Sequence, residues 1–137
     1  MKHELKDENQ DIFCQVEFLA DKQIIYSKWI CDGITVNQIQ KGAMIMLQQL
    51  KDNKVSYVLN DNRELIGAWD EANDWIAKEW IPKAVEIGLK KFAHIISDDL
   101  FSHLSAEFME DNMNTLQNEF QMRLFNSYED AINWLQE

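Results

Sequence analysis

Apolar and polar residues alternate with a period of two near the start of the chain. The alternating apolar positions are Ile12, Cys14, Val16 and Phe18. Such alternation is typical of a half-buried strand, here residues 12–19. After a polar break, the β-rich run at residues 24–30 predicts a second strand that completes an antiparallel hairpin. Residues 1–10 are almost wholly polar, and we interpret them as a polar leader before one domain at residues 11–137.

A helical period replaces the period of two after the hairpin. Thr35 and Gln38 have the spacing of a capping box, and the apolar residues that follow recur at helical intervals, which predicts a helix to about Lys51. The β-rich run at residues 55–59 indicates a buried parallel strand. The polar residues 60–62 are predicted to form its exit loop.

The alternation of helix and strand then continues. A helical face begins at Asp70, Pro82 is expected to kink or restart that helix, and Gly88 lies where a helix ends. Residues 92–96 predict a strand, which is followed by a helical stretch that ends near Asn114.

The last predicted elements are a strand at residues 120–124 and a terminal helix capped by Ser127 and Asp130. The element order is therefore ββαβαβαβα. Strands that alternate with helices are joined by right-handed crossovers, which makes neighbouring strands parallel. We expect an α/β fold with a mixed, mostly parallel sheet of five strands, an antiparallel N-terminal hairpin and about four helices.

The charge balance limits the partners. The chain has 13 basic and 24 acidic side chains and a formal net charge of −11. Because this field repels phosphate backbones and anionic lipid headgroups, we expect neither nucleic acid nor a membrane surface as a partner. Cys14 and Cys31 lack a CxxC spacing and are interpreted as reduced thiols. The polar start does not support a signal peptide, so the cytoplasm is the expected location.

The sequence lacks the usual motifs of catalysis. It has no GxGxxG, GxxxxGK[ST] or GxSxG motif, which disfavours nucleotide and nucleophilic chemistry. His3, His94 and His103 share no short ligand spacing with either cysteine, so we expect no metal and no cofactor. His94 falls within a predicted strand and is interpreted as a core histidine. The sequence thus predicts a protein that is not an enzyme and has no catalytic residues.

A small set of residues remains as candidates for binding a partner or a ligand: Asp61, Asn62, Arg63, Trp69, Trp75, Trp80, Asp98 and Asp99. Arg63 can fork onto a carboxylate or phosphate of a partner, or it can pair with Asp61 or Glu64 of its own chain. Asp98 and Asp99 can hold a divalent cation, or Asp99 can cap the helix that follows.

The tryptophans crowd one helical region. Trp80 shares an apolar face with Ile76 and Ala84 and is expected in the core. Trp69 and Trp75 point elsewhere, so they either form an interface or pack under a neighbouring loop.

Several segments and the element order resemble a known family: Asp61-Asn62-Arg63, Gly67 with Trp69, Glu79-Trp80 with Pro82, and Phe125 with Ala131 and Trp134. The chain resembles the STAS-like family, also described as SpoIIAA-like or anti-sigma-factor-antagonist-like, and its small single-domain bacterial members in particular. The resemblance covers roughly Asp11 to the C-terminus. It implies a noncatalytic signalling or partner-docking module, since characterised relatives bind regulatory proteins and are switched by phosphorylation of a serine or threonine after the third strand. Residues 60–69 contain no serine and no threonine, so regulation by phosphorylation at this position does not carry over to this chain.

Two hypotheses for function follow. The first is a protein-interaction module, monomeric or weakly dimeric, that docks a protein partner through residues 61–69 and Trp75. The alternative is a carrier of a small apolar ligand or lipid. Its pocket would lie between the Pro82 helix and the sheet, lined by Trp80 and by methionines of a neighbouring helix.

Overall fold

The computed structural model describes residues 2–114 and 120–137, which form one mixed sheet with helices on both faces. The strands are β1 (Lys2–Lys6), β2 (Ile12–Leu19), β3 (Ile24–Asp32), β4 (Tyr57–Ile66), β5 (Lys91–Ile95) and β6 (Gln121–Phe125). They lie side by side in chain order. The pairs β1–β2 and β2–β3 are antiparallel, and the remaining pairs are parallel. The predicted α/β fold with an N-terminal antiparallel hairpin is confirmed.

The sheet has one strand more than the sequence pattern predicts. Residues 2–6, which we interpreted as part of a polar leader, form β1 and pair with β2 at the edge of the sheet. Only Leu5 among them packs against the core. Backbone hydrogen bonds hold an edge strand without help from side-chain burial, so its residues need not alternate in hydrophobicity.

The helices are α1 (Val36–Asn53), α2 (residues 70–87), α3 (Leu100–Asn114) and α4 (Tyr128–Leu135). The predicted capping box of Thr35 with Gln38 is present at the start of α1. Ser127 accepts a hydrogen bond from the backbone of Asp130 at the start of α4. Among the described residues, no helix has the length and hydrophobicity needed to cross a membrane.

Helix α2 is irregular, as Pro82 led us to expect. It consists of a 3-10 turn (Asp70–Ala72), a short α-helical turn (Asn73–Trp75), a π-helical turn (Ile76–Trp80) and an α-helix (Ile81–Ile87). Proline near the start of the last segment lacks the N–H that would continue the preceding turn. Gly88 then ends the helix at a φ of 129°.

Three helices cover one face of the sheet and the fourth covers the other. Strands β3 to β6 follow one another in one direction, so right-handed crossovers place α1, α2 and α3 on the same side. The larger core lies between these helices and the sheet. The smaller core is formed by α4 with residues such as Leu59 and Ile95 on the opposite face.

Strand β4 is longer than its hydrophobic pattern suggests. The predicted exit loop at residues 60–62 is wrong, because β4 continues to Ile66. In its pairing with β3, Lys28 lies opposite Asp61 and Ile30 lies opposite Glu64. Two steps along β3 thus correspond to three along β4, so β4 has one extra residue at a β-bulge. Asparagine and aspartate favour turns, but here buried hydrogen bonds outweigh that preference. The bulge keeps Asn62 and Leu65 on the same face of the sheet.

Helix α1 lies unusually close to the sheet at Gly42. A Cβ atom at this position would overlap the ring of Trp29 and lie 3.1 Å from the Sγ of Cys14. Glycine therefore permits the helix to pack directly on the Trp29 indole, which forms part of the site described next.

Candidate functional site

A cavity of about 50 Å³ lies between the sheet and helices α1, α2 and α3. By this measure it has room for about three to five water molecules. Its walls are Trp29, Ile34, Ile39, Ala43, Met46, Asn60, Asn62, Leu65, Trp69, Ile76, Trp80, Phe92 and Met109. The structure thus has a pocket where the carrier hypothesis expects one, lined by Trp80 and by methionines of neighbouring helices.

The tryptophans of the cavity wall have all of their indole N–H groups bonded within the protein. Trp29 donates to the Oδ1 of Asn60 at 2.6 Å, and Trp80 donates to the carbonyl of Ala43 at 2.6 Å. Trp69 donates to the hydroxyl of Ser102 at 3.3 Å. Because each indole N–H is already hydrogen-bonded, each tryptophan presents only its aromatic ring to the cavity.

Asn60 is the centre of a buried hydrogen-bond network. Its Oδ1 accepts from the hydroxyl of Ser27 and from the indole of Trp29, each at 2.6 Å. Its Nδ2 lies 3.0 Å from the Nδ1 of His94 and donates to the Oδ1 of Asn62 at 3.3 Å. A carboxamide can make four such bonds. Asn60 therefore has no capacity left for a ligand.

One obligate donor fixes the orientation of this whole network. The indole nitrogen of Trp29 can only donate, so the Asn60 atom beside it must be Oδ1. The Nδ2 of Asn60 then faces His94, whose Nδ1 must accept, and the proton of the neutral ring sits on Nε2. By the same reasoning, the Oδ1 of Asn62 faces Asn60, and its Nδ2 is directed away.

His94 is a neutral, buried histidine at the edge of this network. Its ring stacks on Phe92 at a centroid distance of 6.5 Å and lies 5.8 Å from the ring of Trp69. Burial lowers the pKa of His94 to about 4; Asp61 opposes this shift and His103 adds to it. Its Nε2 is buried without a hydrogen-bond partner among the described residues. The interpretation of His94 as a core histidine is confirmed.

Asp61 and Arg63 form an ion pair on the opposite face of the sheet. The Nε and Nη2 atoms of Arg63 donate to the two carboxylate oxygens of Asp61 at 3.0 and 2.7 Å, and the hydroxyl of Tyr26 donates at 2.6 Å. Burial alone would raise the pKa of Asp61, but the hydrogen bonds from Arg63 and Tyr26 outweigh it and the net shift is downward. The guanidinium group of Arg63 thus pairs with Asp61 of its own chain, which is the second of the two roles that the sequence left open for it.

Asp99 caps helix α3. Its Oδ2 accepts from the backbone N–H groups of Gly67 at 2.9 Å and Ser102 at 3.0 Å. These bonds lower the pKa of Asp99. Asp98 is exposed, and the described part of the chain contains no group of three histidine, cysteine or acidic side chains that could hold a metal ion. The capping alternative is confirmed for Asp99.

The predicted site residues therefore separate into two groups. Asn62, Trp69 and Trp80 meet at the cavity. The others do not line it: Asp61, Arg63, Trp75, Asp98 and Asp99. Trp75 is half-buried and packs against the edge of the core. Of the proposed docking edge, Asp61, Asn62 and Trp69 are buried, whereas residues such as Arg63 and Ile66 are exposed.

The sequence interpretation missed Ser27, Trp29 and Asn60 and left the partners of His94 unassigned. A signal was present, since Ser27 with Trp29 and Asn60 with Asn62 are polar or amphipathic residues at alternate positions of two neighbouring strands. The assignment of residues 60–62 to a loop concealed it.

The side chains that line the cavity are uncharged. The nearest cysteine, Cys14, is fully buried, and burial raises its pKa to about 12, so it is a poor nucleophile. Asn60 and Asn62 are neutral carboxamides that do not ionise near neutral pH. Comparison of the chain with family models, curated proteins and solved structures found no match.

Proposed function

We propose that this chain is a noncatalytic binding protein that holds a small uncharged molecule in the cavity between the sheet and helices α1 to α3. One observation carries the proposal: Trp29, Trp69 and Trp80 surround the cavity while their own N–H groups are bonded elsewhere. Mostly apolar walls with a few placed polar groups are typical of small-molecule sites. A volume of about 50 Å³ is about a third of the roughly 150 Å³ that holds benzene, so it suits an occupant of a few heavy atoms and is too small for an aromatic ring or a lipid chain.

The charges around the cavity favour a neutral occupant. Asp61 and Arg63 neutralise each other on the other face of the sheet, and His94 is uncharged near neutral pH. A charged ligand would lose its hydration without gaining a partner of opposite sign, which is costly. A small uncharged molecule meets no such penalty.

The irregularity of α2 supports the same function. Ile76 and Trp80, which begin and end its π-helical turn, both belong to the cavity wall. Single π-helical turns within helices are frequent at functional sites. Because such a turn is less regular than an α-helix, it provides a place where the wall can move to admit a ligand.

Binding of xenon, a single apolar atom that suits this volume, tests this function directly. Thermal unfolding and the indole N–H resonances of the tryptophans should report saturable binding to the wild type. Ala43→Leu fills the cavity from α1 and should abolish binding. Met44→Leu, at an exposed position of the same helix, is the matched control and should bind as the wild type does. If xenon leaves both signals unchanged, or binds the folded Ala43→Leu protein equally well, the proposal is wrong.

Self-association is a second candidate function, and helix α3 favours it. The helix exposes Leu100, Phe101, Leu104 and Phe108 by 51 to 64% each. Its buried residues are Ser102, Ser105, Ala106 and Met109. The exposed side chains offer roughly 450 Å² of apolar surface, the size of a functional patch on a monomer.

We propose a second copy of the chain as the occupant of this patch. Phe101, Leu104 and Phe108 have the three- and four-residue spacing of a helix–helix contact, and a two-fold axis at Leu104 would bring Phe101 of one copy against Phe108 of the other. Roughly 900 Å² buried in total is slightly below what a stable interface needs, so the dimer should be weak.

Sedimentation equilibrium tests the dimer. The wild type should self-associate at high concentration, more strongly in high salt, because salt screens the net charge of −11 on each copy. Leu104→Ser should remain monomeric, with Met44→Leu as a control for substitution at a different exposed site. A wild type that is monomeric at every concentration and salt would contradict this candidate.

A further inference from the structure

The cavity between the sheet and helices α1 to α3 offers an occupant few hydrogen bonds. Its three indole N–H groups are bonded within the protein, and the carboxamide of Asn60 makes four hydrogen bonds to neighbouring side chains. Asn62 is the other carboxamide of the described wall, and its Oδ1 already accepts from Asn60. The remaining wall residues have aliphatic, aromatic or thioether side chains. A ligand that needs several hydrogen bonds therefore does not find them here.

The buried polar atoms that do lack a partner belong to residues outside this wall. In the described part of the chain they are the Oδ1 of Asn73 and the Nε2 of His94. Neither residue lines the cavity. The Nδ2 of Asn73 donates to the carbonyl of Ser105 on α3, and the ring of His94 lies beside Trp69 and Phe92. The chemistry of an occupant must therefore be inferred from the wall alone.

Water is a poor occupant of such a space. A buried water molecule usually makes about three hydrogen bonds, and apolar cavities with room for water stay dry. Here Asn62 has the one polar side chain of the described wall that is left to contribute, and a single carboxamide does not supply three bonds to one water molecule. An apolar molecule gains dispersion contacts with Trp29, Trp69 and Trp80 and gives up no hydrogen bond.

The volume of the cavity limits the size of this molecule. Roughly 150 Å³ holds the six carbon atoms of benzene, whereas this cavity has about 50 Å³. In proportion, the space accommodates about two heavy atoms. Ethane, ethylene and dioxygen are apolar molecules of this size.

We infer that the occupant is an apolar molecule of about two heavy atoms, either a light hydrocarbon or a dissolved apolar gas such as dioxygen. This inference rests on the proposed binding function and adds the chemical class of the ligand to it. Such a molecule has no charge and no hydroxyl or amide group to desolvate. It lies against the indole rings and the polarisable thioether side chains of Met46 and Met109.

Ethane and methanol isolate the chemical class of the ligand. The two probes have the same number of heavy atoms, but methanol has a hydroxyl group where ethane has a methyl group. Binding to the wild type is followed by NMR of ¹³C-labelled methionine methyl groups, since Met46 and Met109 line the cavity and the exposed Met44 is an internal control. Ethane should shift the resonances of Met46 and Met109 saturably and leave that of Met44 in place. It should bind at least about tenfold more tightly than methanol, because the hydroxyl group loses its hydration without a replacement bond.

Dioxygen distinguishes the two kinds of apolar ligand, since it is paramagnetic. If the gas is held in the cavity, the methyl resonances of Met46 and Met109 should broaden more than that of the exposed Met44. Broadening of Met44 alone, with ethane bound as expected, would restrict the ligand to a hydrocarbon.

The outcomes separate this inference from the binding function. Methanol that binds as tightly as ethane, or xenon that binds while ethane does not, would overturn the inference and leave the binding function standing. In folded Ala43→Leu, which fills the cavity, Met109 should no longer respond to ethane, and a response that persists would also overturn the inference. Failure of xenon, ethane and methanol alike to bind the wild type would overturn the binding function itself.

Discussion

Acidification should destabilise the protein through one residue, His94. In the unfolded chain the imidazole takes up a proton near pH 6.5, whereas burial lowers the pKa of His94 to about 4 in the folded state. As the pH falls below 6.5, the unfolded state binds the proton first, so stability decreases until the folded state also binds it near pH 4. The difference between the two pKa values corresponds to about 3 kcal/mol.

Other groups act on or beside this titration. Asp61 raises and His103 lowers the pKa of His94, but burial dominates both. Burial raises the pKa of Glu110, so that side chain stabilises the folded state as the pH falls and partly offsets the loss. The net decrease between pH 7 and pH 4.5 should therefore be about 2 kcal/mol.

Urea unfolding followed by tryptophan fluorescence, at several pH values from 7 to 4.5, measures this loss. His94→Phe keeps an aromatic ring beside Phe92 and Trp69 but cannot take up a proton, so its stability should be nearly constant over this range. His103→Gln is the control at a partly exposed histidine and should retain the dependence of the wild type. Parallel decreases in the wild type and His94→Phe would refute the reasoning.

Three further substitutions test the packing around the site by urea unfolding at pH 7. Asn60→Leu leaves four buried groups without their hydrogen-bond partner, at a cost of about 1 kcal/mol or more each. We therefore expect the free energy of unfolding to fall by at least about 4 kcal/mol. A decrease below about 1 kcal/mol would contradict the network. Gly42→Ala should cost about 1–2 kcal/mol, because overlap with Trp29 outweighs the better helix propensity of alanine; unchanged stability would contradict this close contact. Arg63→Ala should cost about 2 kcal/mol, less than a fully buried pair, because 49% of its side chain is exposed. That cost should shrink at acidic pH as Asp61 of the variant takes up a proton, and a cost independent of pH would contradict the pairing.

Local sequence rules predicted much of the architecture. The capping box at Thr35, the C-terminal glycine at position 88 and the break at Pro82 depend on neighbouring residues only, and all are present. The strand predicted at residues 12–19 has the same bounds as β2. Each of these features is determined within a few positions along the chain, which is why a single sequence suffices.

The cavity network could not be predicted in the same way. Trp29 and Asn60 are 31 positions apart, and Asn60 and His94 are 34 apart. No local preference indicates that such residues meet, and the turn preference of Asn60 pointed to a loop instead. The apolar helical face of Trp80 was enough to predict that it lines a pocket. The polar residues beside the cavity meet only because of the register of three strands, which local sequence does not indicate.

Everything proposed for the cavity depends on which way the carboxamide of Asn60 faces, and the tautomer of His94 reports this directly. A long-range ¹H–¹⁵N correlation spectrum of the histidine rings, with His94 assigned from its absence in His94→Phe, distinguishes the two ring nitrogens. We predict a protonated Nε2 and an unprotonated Nδ1, unchanged from pH 7 to pH 5. A proton on Nδ1, or a cationic ring within that range, would contradict the orientation of the network.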